Sequence, residues 1–574
     1  MHKKALRFLR NLFLFVGTVF LIAGCANQLP PNGGPIDTTT PEIISVYPDN
    51  NALNFKDSHI RIEFDRYVDE RKVEESIFIS PYVGTLEFDW SGTEVTIIFS
   101  EKLRSNTTYI VNVGTDVTDR RNGNRMAKAY TLAFSTGPDI DRGGIEGLVF
   151  PMKEGDAAAG IMIFAYQLNG LDPDTVNPMT TKPDFITQTG KSGDFFLHHI
   201  PFGAYRIFAI KDEFRNLVYD KEADEFGVPP NTINITMYDT LSTGVMMKLA
   251  KEDTSGVLLV KVTAFNQNHV TAEFSESLDP ASVNLKSFSI IDTINQKPLD
   301  ILTIYPLPTN RASYTLVTRK QDSLKRYRLS TIGITDSAGN IINPLSKSLT
   351  FQGSQKADTL GTRLVSASIK DSTQNIDLQP VWTLTFSDAI AKTTSLDFVN
   401  IFDNKKQIVT VEKKWMSDVM ISLKPEKELS SLTWYSLRAE LRKVNDWVEH
   451  ACKDSTKTWR FETFDIEDMS SVEGIVVDEN KSDTTGQMYI TAFQIGEKSS
   501  KQYTAVADAT GRFIFPLVAE GRYVLQTYRD RNNNGTYDFG KPFPFVHSER
   551  MSSFSDTLKV RARWPLEGVQ IKMK

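Results

Sequence analysis

Two stretches of this chain repeat each other at a fixed distance. Residues 193–197 read Gly-Asp-Phe-Phe-Leu and residues 511–515 read Gly-Arg-Phe-Ile-Phe, a spacing of 318 residues. The Gly-Ala-Tyr-Arg of residues 203–206 returns as Gly-Arg-Tyr-Val at residues 521–524 with the same spacing. Such self-similarity indicates small structural units that recur along a chain. The chain must divide in any case, because single hydrophobic cores stop growing at roughly 250–300 residues and this chain has 574.

A second pattern recurs three times and has the alternation of a half-buried β-strand. It reads Ile-Arg-Ile-Glu-Phe at residues 60–64 and returns at residues 270–274 and 381–386. Successive residues of a strand face opposite sides of the sheet, which gives apolar and polar side chains in turn. From residue 41 onward, no sustained stretch has the spacing of an amphipathic helix. The sequence therefore predicts an all-β chain of tandem β-sandwich modules.

We expect five such modules, of two kinds. Each copy of the second pattern is followed by a tyrosine at the head of a strand and closes on a strand that carries phenylalanine. These tyrosines are Tyr109, Tyr327 and Tyr435. The predicted boundaries are 41–137, 255–353 and 360–464 for this kind, and 143–250 and 471–574 for the kind with the 318-residue spacing.

The first module resembles a known family. Its Thr-Pro-Glu-Ile at 40–43, Phe-Asp-Arg-Tyr-Val at 64–68, Asn-Thr-Thr-Tyr at 106–109 and Phe-Ser-Thr-Gly at 134–137 resemble the bacterial Ig-like domain of the SbsA type. That domain is common in surface lipoproteins of the Bacteroidota. The glycine and aromatic motifs of the other kind resemble the prealbumin-like sandwich of carboxypeptidase regulatory-like repeats. The two resemblances imply three Ig-like and two prealbumin-like modules.

The first 25 residues have the pattern of a secretory signal. Four basic side chains precede an apolar run at residues 12–20, and Leu-Ile-Ala-Gly at residues 21–24 leads to Cys25. A positive region, a short apolar region and small residues are typical of a signal peptide. The cysteine resembles that of the bacterial lipobox, which becomes the acylated first residue. The alternative is an ordinary signal peptide with a chance cysteine.

A lipid anchor at Cys25 would set the location of the protein. We predict a signal peptide at residues 1–24 and a lipidated tether, rich in proline and glycine, at residues 25–40. Acyl chains on one residue bury enough methylene groups to hold a protein at a membrane surface. No apolar run of about 18 residues follows residue 24, as a membrane-spanning helix would require. Ala26 implies the outer membrane, by resemblance to sorted lipoproteins, and leaves open which face is occupied.

The charge of the chain narrows the choice of partner. Lys and Arg number 65 against 71 Asp and Glu, for a formal net charge of -6. Nucleic-acid-binding proteins usually carry a basic excess, so we expect no nucleic-acid partner. The candidate partners that remain are membrane lipid, through Cys25, and a protein or glycan of unknown identity.

One loop has the spacing of calcium ligands. Oxygen-bearing side chains occur at Asp530, Asn532, Asn534, Thr536 and Asp538, with a glycine at residue 535. Calcium takes six to eight oxygen ligands, and the glycine permits a sharp turn. However, Lys541 stands where a calcium loop has its bidentate glutamate. The alternative is a turn without an ion, since Asn and Gly are favoured in turns. We therefore predict calcium as the only candidate cofactor.

The corresponding stretch of the first copy is residues 212–220. It has Phe214 at the third position of the loop and Leu217 in place of the glycine. We expect no ion there.

The motif search favours a non-enzymatic protein. No nucleophile elbow, phosphate-cradling loop or zinc-protease helix is present in the sequence. We expect an outer-membrane or cell-surface lipoprotein that acts as a modular β-sandwich scaffold or binding protein. The alternatives are an accessory subunit of an outer-membrane transport or secretion complex, and a glycan-acting enzyme.

Overall fold

The computed structural model describes residues 37–153, 155–168, 170, 172–359, 361–481, 483–496, 501–554 and 556–573. The predicted signal peptide and Cys25 lie outside these ranges. Within them the strands form ten sheets and there is a single α-helix, so the prediction of an all-β chain of tandem sandwiches is confirmed. The chain divides into two compact units, up to Ile140 and from Asp141 onward. No helix in the described ranges has the length and apolar character needed to cross a bilayer.

The first unit holds one sandwich of two sheets. Its strands are β1 (Ile43–Tyr47), β2 (His59–Phe64), β3 (Ile77–Ser80), β4 (Leu86–Ser91), β5 (Glu94–Phe99), β6 (Thr108–Val113) and β7 (Tyr130–Ser135). The sheets have the orders β1-β2-β5-β4 and β3-β6-β7. The alternation predicted for β2 is observed, since Ile60 and Ile62 are buried in the core while Arg61 is exposed. Helix α1 (Glu70–Ser76) begins where the Asp69 carboxylate accepts the N–H of Lys72 at 3.3 Å.

The second sandwich opens the second unit and has a different order. Its strands are β8 (Gly143–Phe150), β9 (Met162–Gln167), β10 (Phe185–Gln188), β11 (Asp194–Ile200), β12 (Gly203–Lys211), β13 (Glu225–Gly227), β14 (Ile233–Ile235), β15 (Leu241–Lys248) and β16 (Ala250–Lys251). One sheet is β11-β8-β15, in which β8 and β15 are parallel. The other is β10-β9-β12-β13-β16, with β14 beside β12.

The third and fourth sandwiches repeat the order of the first. The third contains β17 (Leu259–Ala264), β18 (His269–Phe274), β19 (Phe288–Asp292), β20 (Ile301–Leu307), β21 (Asn310–Thr318), β22 (Arg326–Thr331) and β23 (Ser348–Gln352). The fourth contains β24 (Leu364–Ala367), β25 (Thr373–Ile376), β26 (Trp382–Phe386), β27 (Val399–Phe402), β28 (Ile408–Val409), β29 (Val411–Ser417), β30 (Met420–Pro425), β31 (Trp434–Ala439) and β32 (Lys457–Thr463). The sheets are β17-β18-β21-β20 with β19-β22-β23, and β24-β26-β30-β29 with β25-β32-β31-β27-β28. Apart from the added β25 and β28, the strand orders match.

Apart from β16, which has no counterpart, the fifth sandwich repeats the strand order of the second. It contains β33 (Ser470–Asp478), β34 (Gln487–Ile495), β35 (Gln502–Val506), β36 (Arg512–Val518), β37 (Gly521–Asp530), β38 (Met551–Ser553), β39 (Leu558–Val560) and β40 (Leu566–Met573). The sheets are β36-β33-β40, with β33 and β40 parallel, and β35-β34-β37-β38, with β39 beside β37. Among the described residues of the second unit, six short 3₁₀ helices lie in the connections: Pro173–Thr175, Pro280–Ser282, Leu285–Ser287, Leu396–Phe398, Leu441–Lys443 and Ile466–Asp468.

The three tyrosines of the second sequence pattern have one structural role. Each is buried, and its hydroxyl accepts a backbone N–H from five residues earlier in the chain. The donor–acceptor distances are 2.7 Å for Tyr109, 3.1 Å for Tyr327 and 2.9 Å for Tyr435. Each ring also stacks on a phenylalanine of the closing strand, at 5.5 to 5.7 Å between ring centroids. The aromatic signals read from the sequence therefore mark one corner of each of these cores.

Two glycines explain the motif shared by the second and fifth sandwiches. A Cβ atom on Gly147 would lie 2.2 Å from the carbonyl oxygen of Val245, and one on Gly474 would lie 2.4 Å from that of Val569. The parallel strand pairs β8–β15 and β33–β40 therefore approach too closely at these points for any side chain. A larger residue would push the paired strands apart.

Sandwiches within the second unit contact one another. Tyr305 and Val317 of the third sandwich form an apolar cluster with Ala389 and Val419 of the fourth. The hydroxyl of Thr303 donates to the Asp418 carboxylate across the same junction. Both apolar and polar contacts therefore hold the third sandwich against the fourth.

Candidate metal centre

The predicted calcium loop begins at the last residue of β37. The buried carboxylate of Asp530 accepts the backbone N–H of Asn534 at 3.1 Å and that of Gly535 at 2.7 Å. The side-chain oxygen of Asn534 accepts the N–H and the hydroxyl of Thr536, at 2.7 and 2.8 Å. Gly535 has a positive φ of 79°, which glycine adopts without strain. The loop is thus wound around the Asp530 carboxylate.

Asp538 lies across the loop from Asp530. Its carboxylate accepts the Nδ2 of Asn532 at 2.6 Å and that of Asn534 at 3.4 Å. The structure therefore brings the five predicted residues into one hydrogen-bonded loop. In this arrangement the amide nitrogens, rather than the amide oxygens, face the Asp538 carboxylate.

Sequence reasoning missed a third carboxylate of the loop. Glu549 is buried and accepts the N–H of Arg531 at 2.7 Å and that of Asp538 at 3.1 Å. Burial raises the pKa of Glu549, although its two backbone hydrogen bonds oppose the shift. A twelve-residue calcium template ends at Lys541 and cannot reach Glu549. A search for acidic residues just before the next strand, β38, would have found it.

The donor set suits a hard cation. Asp530, Asp538 and Glu549 supply carboxylate oxygens, and Asn532 and Asn534 supply amide oxygens, which are the ligands that Ca²⁺ prefers. For these amide oxygens to face an ion, both amide groups must rotate by about half a turn. This rotation swaps the positions of the oxygen and the nitrogen. Groups of three acidic or imidazole side chains with ligand atoms within 4.8 Å of one another are found elsewhere in the described residues. Calcium at this loop stays a prediction.

The second sandwich has the same framework of carboxylate-to-backbone hydrogen bonds at residues 212–224. Asp212 accepts the N–H of Asn216 at 3.2 Å and of Leu217 at 2.9 Å, as Asp530 does with its two donors. Asp224 takes the place of Glu549, with the N–H of Glu213 at 3.0 Å and of Asp220 at 2.8 Å. Leu217 has a φ of 61°, so the turn persists without its glycine. Since the framework forms without the full ligand set, its hydrogen bonds are also those of a structural turn.

A buried ion-pair network fixes the base of the loop in the fifth sandwich. Asp478, at the end of β33, binds Arg529 at 2.6 Å and Arg550 at 2.8 Å. Burial works against ionisation of Asp478, but the bonds from Arg550 and Arg529 outweigh it and hold the pKa of Asp478 below its ordinary value. The two arginines adjoin Asp530 and Glu549 in the chain. The network therefore positions both carboxylates against the sheet.

The fifth sandwich departs from the second after Asp538. Eleven positions separate Asp538 from Glu549, against four between Asp220 and Asp224. We call residues 539–548 the inserted segment. It reaches the second sandwich, where the ring of Phe545 lies 3.2 Å from the guanidinium carbon of the buried Arg206.

The inserted segment also borders a cavity. Its His547 has Nδ1 at 3.1 Å from the carbonyl oxygen of Pro229. A carbonyl oxygen can only accept, so Nδ1–H of His547 donates to it, and burial lowers the pKa of His547. A cavity of about 560 Å³ lies beside the segment and is lined by residues of the second, third and fifth sandwiches, among them Phe226, Asn340 and Arg531.

Comparisons with known proteins give one family. The model of the bacterial Ig-like domain matches residues 37–136 and 358–463. These matches fall on the first and fourth sandwiches. The third sandwich has the same strand order as the first and fourth. The residues matched by the family model lie outside the second, third and fifth sandwiches. No curated protein matches this chain.

Several solved structures are similar at low identity. The N-terminal part of the bacterial S-layer protein SbsC is 14% identical, with 35% of this chain and 45% of that chain covered and a TM-score of 0.17. The match thus spans less than half of that chain. Domains 1–6 of the surface layer protein SbsC are 10% identical, with 92% and 68% covered and a TM-score of 0.15. CopC from Methylosinus trichosporium OB3b is 14% identical, with 18% and 94% covered and a TM-score of 0.14. The family match shows that the first and fourth sandwiches are similar to the bacterial Ig-like domain.

Proposed function

We propose that this protein is a non-enzymatic, lipid-anchored protein of the outer membrane or cell surface, whose β-sandwiches scaffold or bind a partner. The observation that carries the proposal is the packing of the second unit. Its third and fourth sandwiches share the apolar cluster of Tyr305, Val317, Ala389 and Val419. A scaffold needs fixed positions for its binding surfaces, and contacts of this kind supply them.

The contact between the fifth and second sandwiches adds to this support. Phe545 packs on Arg206 and, edge to face, on Phe208 at 5.9 Å between ring centroids. The two sandwiches are 318 residues apart in sequence by their shared motifs. The last sandwich of the second unit therefore contacts the first sandwich of that unit. The unit therefore offers a partner a surface that several sandwiches build together.

The anchor is supported by sequence alone. Cys25 follows a signal-like segment and precedes a proline- and glycine-rich tether. An acylated Cys25 would place the sandwiches at a membrane surface with freedom to reach a partner. The partner on this proposal is a protein or a glycan.

In-cell crosslinking tests the proposal. We expect the full chain to fractionate with the outer membrane and to crosslink to one recurring protein or glycan. Crosslinks to a channel or secretion protein would favour the accessory-subunit alternative. A chain recovered free of membranes and without any recurring neighbour would contradict the proposal.

A substrate screen tests the enzyme alternative. The purified full chain should turn over no glycan or peptide substrate. Turnover that a single Asp or Glu substitution abolishes would overturn the non-enzymatic proposal. The carboxylate chosen for substitution should lie outside the ion-pair network of Asp478, Arg529 and Arg550. A loss of activity is then not caused by unfolding of the fifth sandwich.

A further inference from the structure

Three ionisable side chains meet where the third sandwich contacts the fourth. His269 is the first residue of β18, Asp388 follows β26, and Asp358 lies in the connection between the two sandwiches. Their side chains are 5%, 17% and 6% exposed, respectively. One ligand atom of each lies within 4.8 Å of those of the other two. They are far apart in the sequence, so no motif search could bring them together.

The hydrogen bonds around His269 fix which ring nitrogen is available. The side-chain oxygen of Asn266 accepts the backbone N–H of Asn268 and of His269, each at 2.8 Å, which identifies it as an acceptor. The same oxygen lies 2.9 Å from Nδ1 of His269, so Nδ1 carries a proton and donates to it. Nε2 then faces the Asp388 carboxylate. An imidazole whose other N–H is held by an oxygen is the usual arrangement of a metal-binding histidine.

The distances suit ligands of a small divalent ion. Nε2 of His269 and Oδ1 of Asp388 are 3.2 Å apart, and two ligands of a tetrahedral zinc ion at about 2.1 Å are themselves about 3.4 Å apart. Asp358 is placed by the wider grouping, since one of its carboxylate oxygens lies within 4.8 Å of the ligand atoms of both His269 and Asp388. The hydroxyl of Tyr305 donates to Asp388 at 2.7 Å and so orients that carboxylate.

The charge of the cluster also points to a cation. Two carboxylates and one imidazole have a net negative charge even if the imidazole is protonated. Asp446 adds a further negative charge that acts on His269. Arg363 lines the same cavity but is exposed. Burying net charge is unfavourable, and a divalent cation would offset the negative charge of this cluster.

The cluster is reachable from solvent. A cavity of about 490 Å³ opens beside it and is lined by His269, Asp358 and Asp388 together with Phe265 and Thr315. The volume of the cavity leaves room for a water molecule to complete the ligand shell of a bound ion.

We propose that His269, Asp358 and Asp388 bind one divalent transition-metal ion of the zinc class at the junction of the third and fourth sandwiches. One nitrogen and two oxygen ligands match the mixed ligand sets of Zn²⁺. The ion would join the two sandwiches through groups from both. The site is separate from the oxygen-only loop at Asp530, which suits calcium.

Titration of the full chain with Zn²⁺ tests the proposal. The protein is first freed of metal with a chelator and then saturated with Ca²⁺, so that oxygen-only sites are filled. We expect calorimetry to show one tight equivalent of Zn²⁺, at least tenfold weaker in His269→Gln and in Asp388→Asn. Co²⁺ should give the visible absorption of a four-coordinate ion, and His269→Gln should abolish it.

Matched controls keep the result interpretable. His198→Gln changes a partly exposed histidine of the second sandwich that pairs with Glu146 at 3.5 Å, and should leave Zn²⁺ binding unchanged. Circular dichroism and the melting temperature of metal-free His269→Gln should show a folded chain. Zn²⁺ binding that is equal in the parent chain and in folded His269→Gln would overturn the proposal. Absence of a tight equivalent would also overturn it and leave the cluster as a hydrogen-bonded ion pair.

Discussion

At the scale of single residues, the corner tyrosines carry a testable share of stability. The Tyr327 hydroxyl accepts the N–H of Asp322 at 3.1 Å in a buried corner of the third sandwich. Tyr327→Phe would leave that N–H without its acceptor, which costs about 1–3 kcal/mol. Denaturant unfolding of the full chain should show this loss in the transition of the third sandwich.

The control for this prediction is another tyrosine. Tyr238 is 93% exposed, so Tyr238→Phe should change the free energy of unfolding by less than about 0.5 kcal/mol. An equal effect of both substitutions would show that the corner hydrogen bond contributes nothing particular to stability.

Asp478 gives the fifth sandwich a dependence on acid. Its pKa is lower in the folded chain than its ordinary value of 3.8, because its bonds from Arg550 and Arg529 outweigh the opposing effect of burial. The stabilisation from these bonds is complete above the ordinary carboxyl pKa and is lost as the pH falls through the lower folded value. We expect the free energy of unfolding to fall steeply below about pH 4.

The substitution Asp478→Asn should remove the part of that acid dependence that comes from Asp478. At neutral pH it should also destabilise the sandwich by about 3–5 kcal/mol, because Arg529 and Arg550 lose their buried partner. Urea unfolding from pH 2 to pH 7 measures both effects. Parallel pH profiles for the parent and the variant would contradict the assignment to Asp478.

At the scale of strands and loops, sequence patterns predicted what is local and missed what is distant. Alternation at residues 60–64 predicted β2, because the faces of a strand differ in burial over a few residues. The loop from Asp530 to Asp538 was predicted from its spacing. Glu549 could not be, because the inserted segment separates it from the loop by a number of residues that no template fixes. The arrangement of Asn266 around His269 depends on folding and has no sequence signal.

The loop at Asp530 should bind calcium if its asparagine amides turn toward an ion. Saturation at 100 times the dissociation constant would add about 2.7 kcal/mol to the fifth sandwich and raise its melting temperature by several degrees. Asp530→Asn combined with Asp538→Asn should remove the calcium effect. Calorimetric melting with calcium and with chelator measures it.

The first copy of the loop is the matched control. Asp212→Asn combined with Asp220→Asn changes the equivalent residues, where no ion is expected, and should leave the response to calcium intact. A parent melting temperature that is the same in calcium and in chelator would show that both loops are plain turns.

The inserted segment should hold the fifth sandwich on the second. Phe545→Ala removes the ring that covers the buried guanidinium of Arg206, a contact worth about 0.5–2 kcal/mol. We expect faster hydrogen exchange in β12, which carries Arg206, and in the inserted segment. Val546 is 51% exposed, so Val546→Ala should leave the exchange unchanged. Unchanged exchange in Phe545→Ala would show that other contacts hold the two sandwiches.

At the scale of the whole molecule, the repeats predicted the kinds of module but not their association. Strand orders recur as the sequence motifs suggested, with the second and fifth sandwiches alike and the first, third and fourth alike. The contact of Phe545 with Arg206 joins two copies that are 318 residues apart in sequence, and it depends on a segment that one copy lacks. A repeat pattern describes what the copies share, so it cannot predict a contact made by what they do not share.

On the proposed function, Cys25 is the residue that holds the whole molecule at a membrane. If Cys25 is acylated, Cys25→Ser should move the protein from the detergent phase to the aqueous phase in a phase-partition experiment, because the acyl chains are the anchor. Cys452 is a buried free cysteine with no access to acylation, so Cys452→Ser should leave the partition as in the parent chain. Retention of Cys25→Ser in the detergent phase would mean that a membrane-bound partner, rather than lipid, holds the protein at the membrane. Crosslinking of that variant would then identify the partner, since the sandwiches alone would carry the attachment.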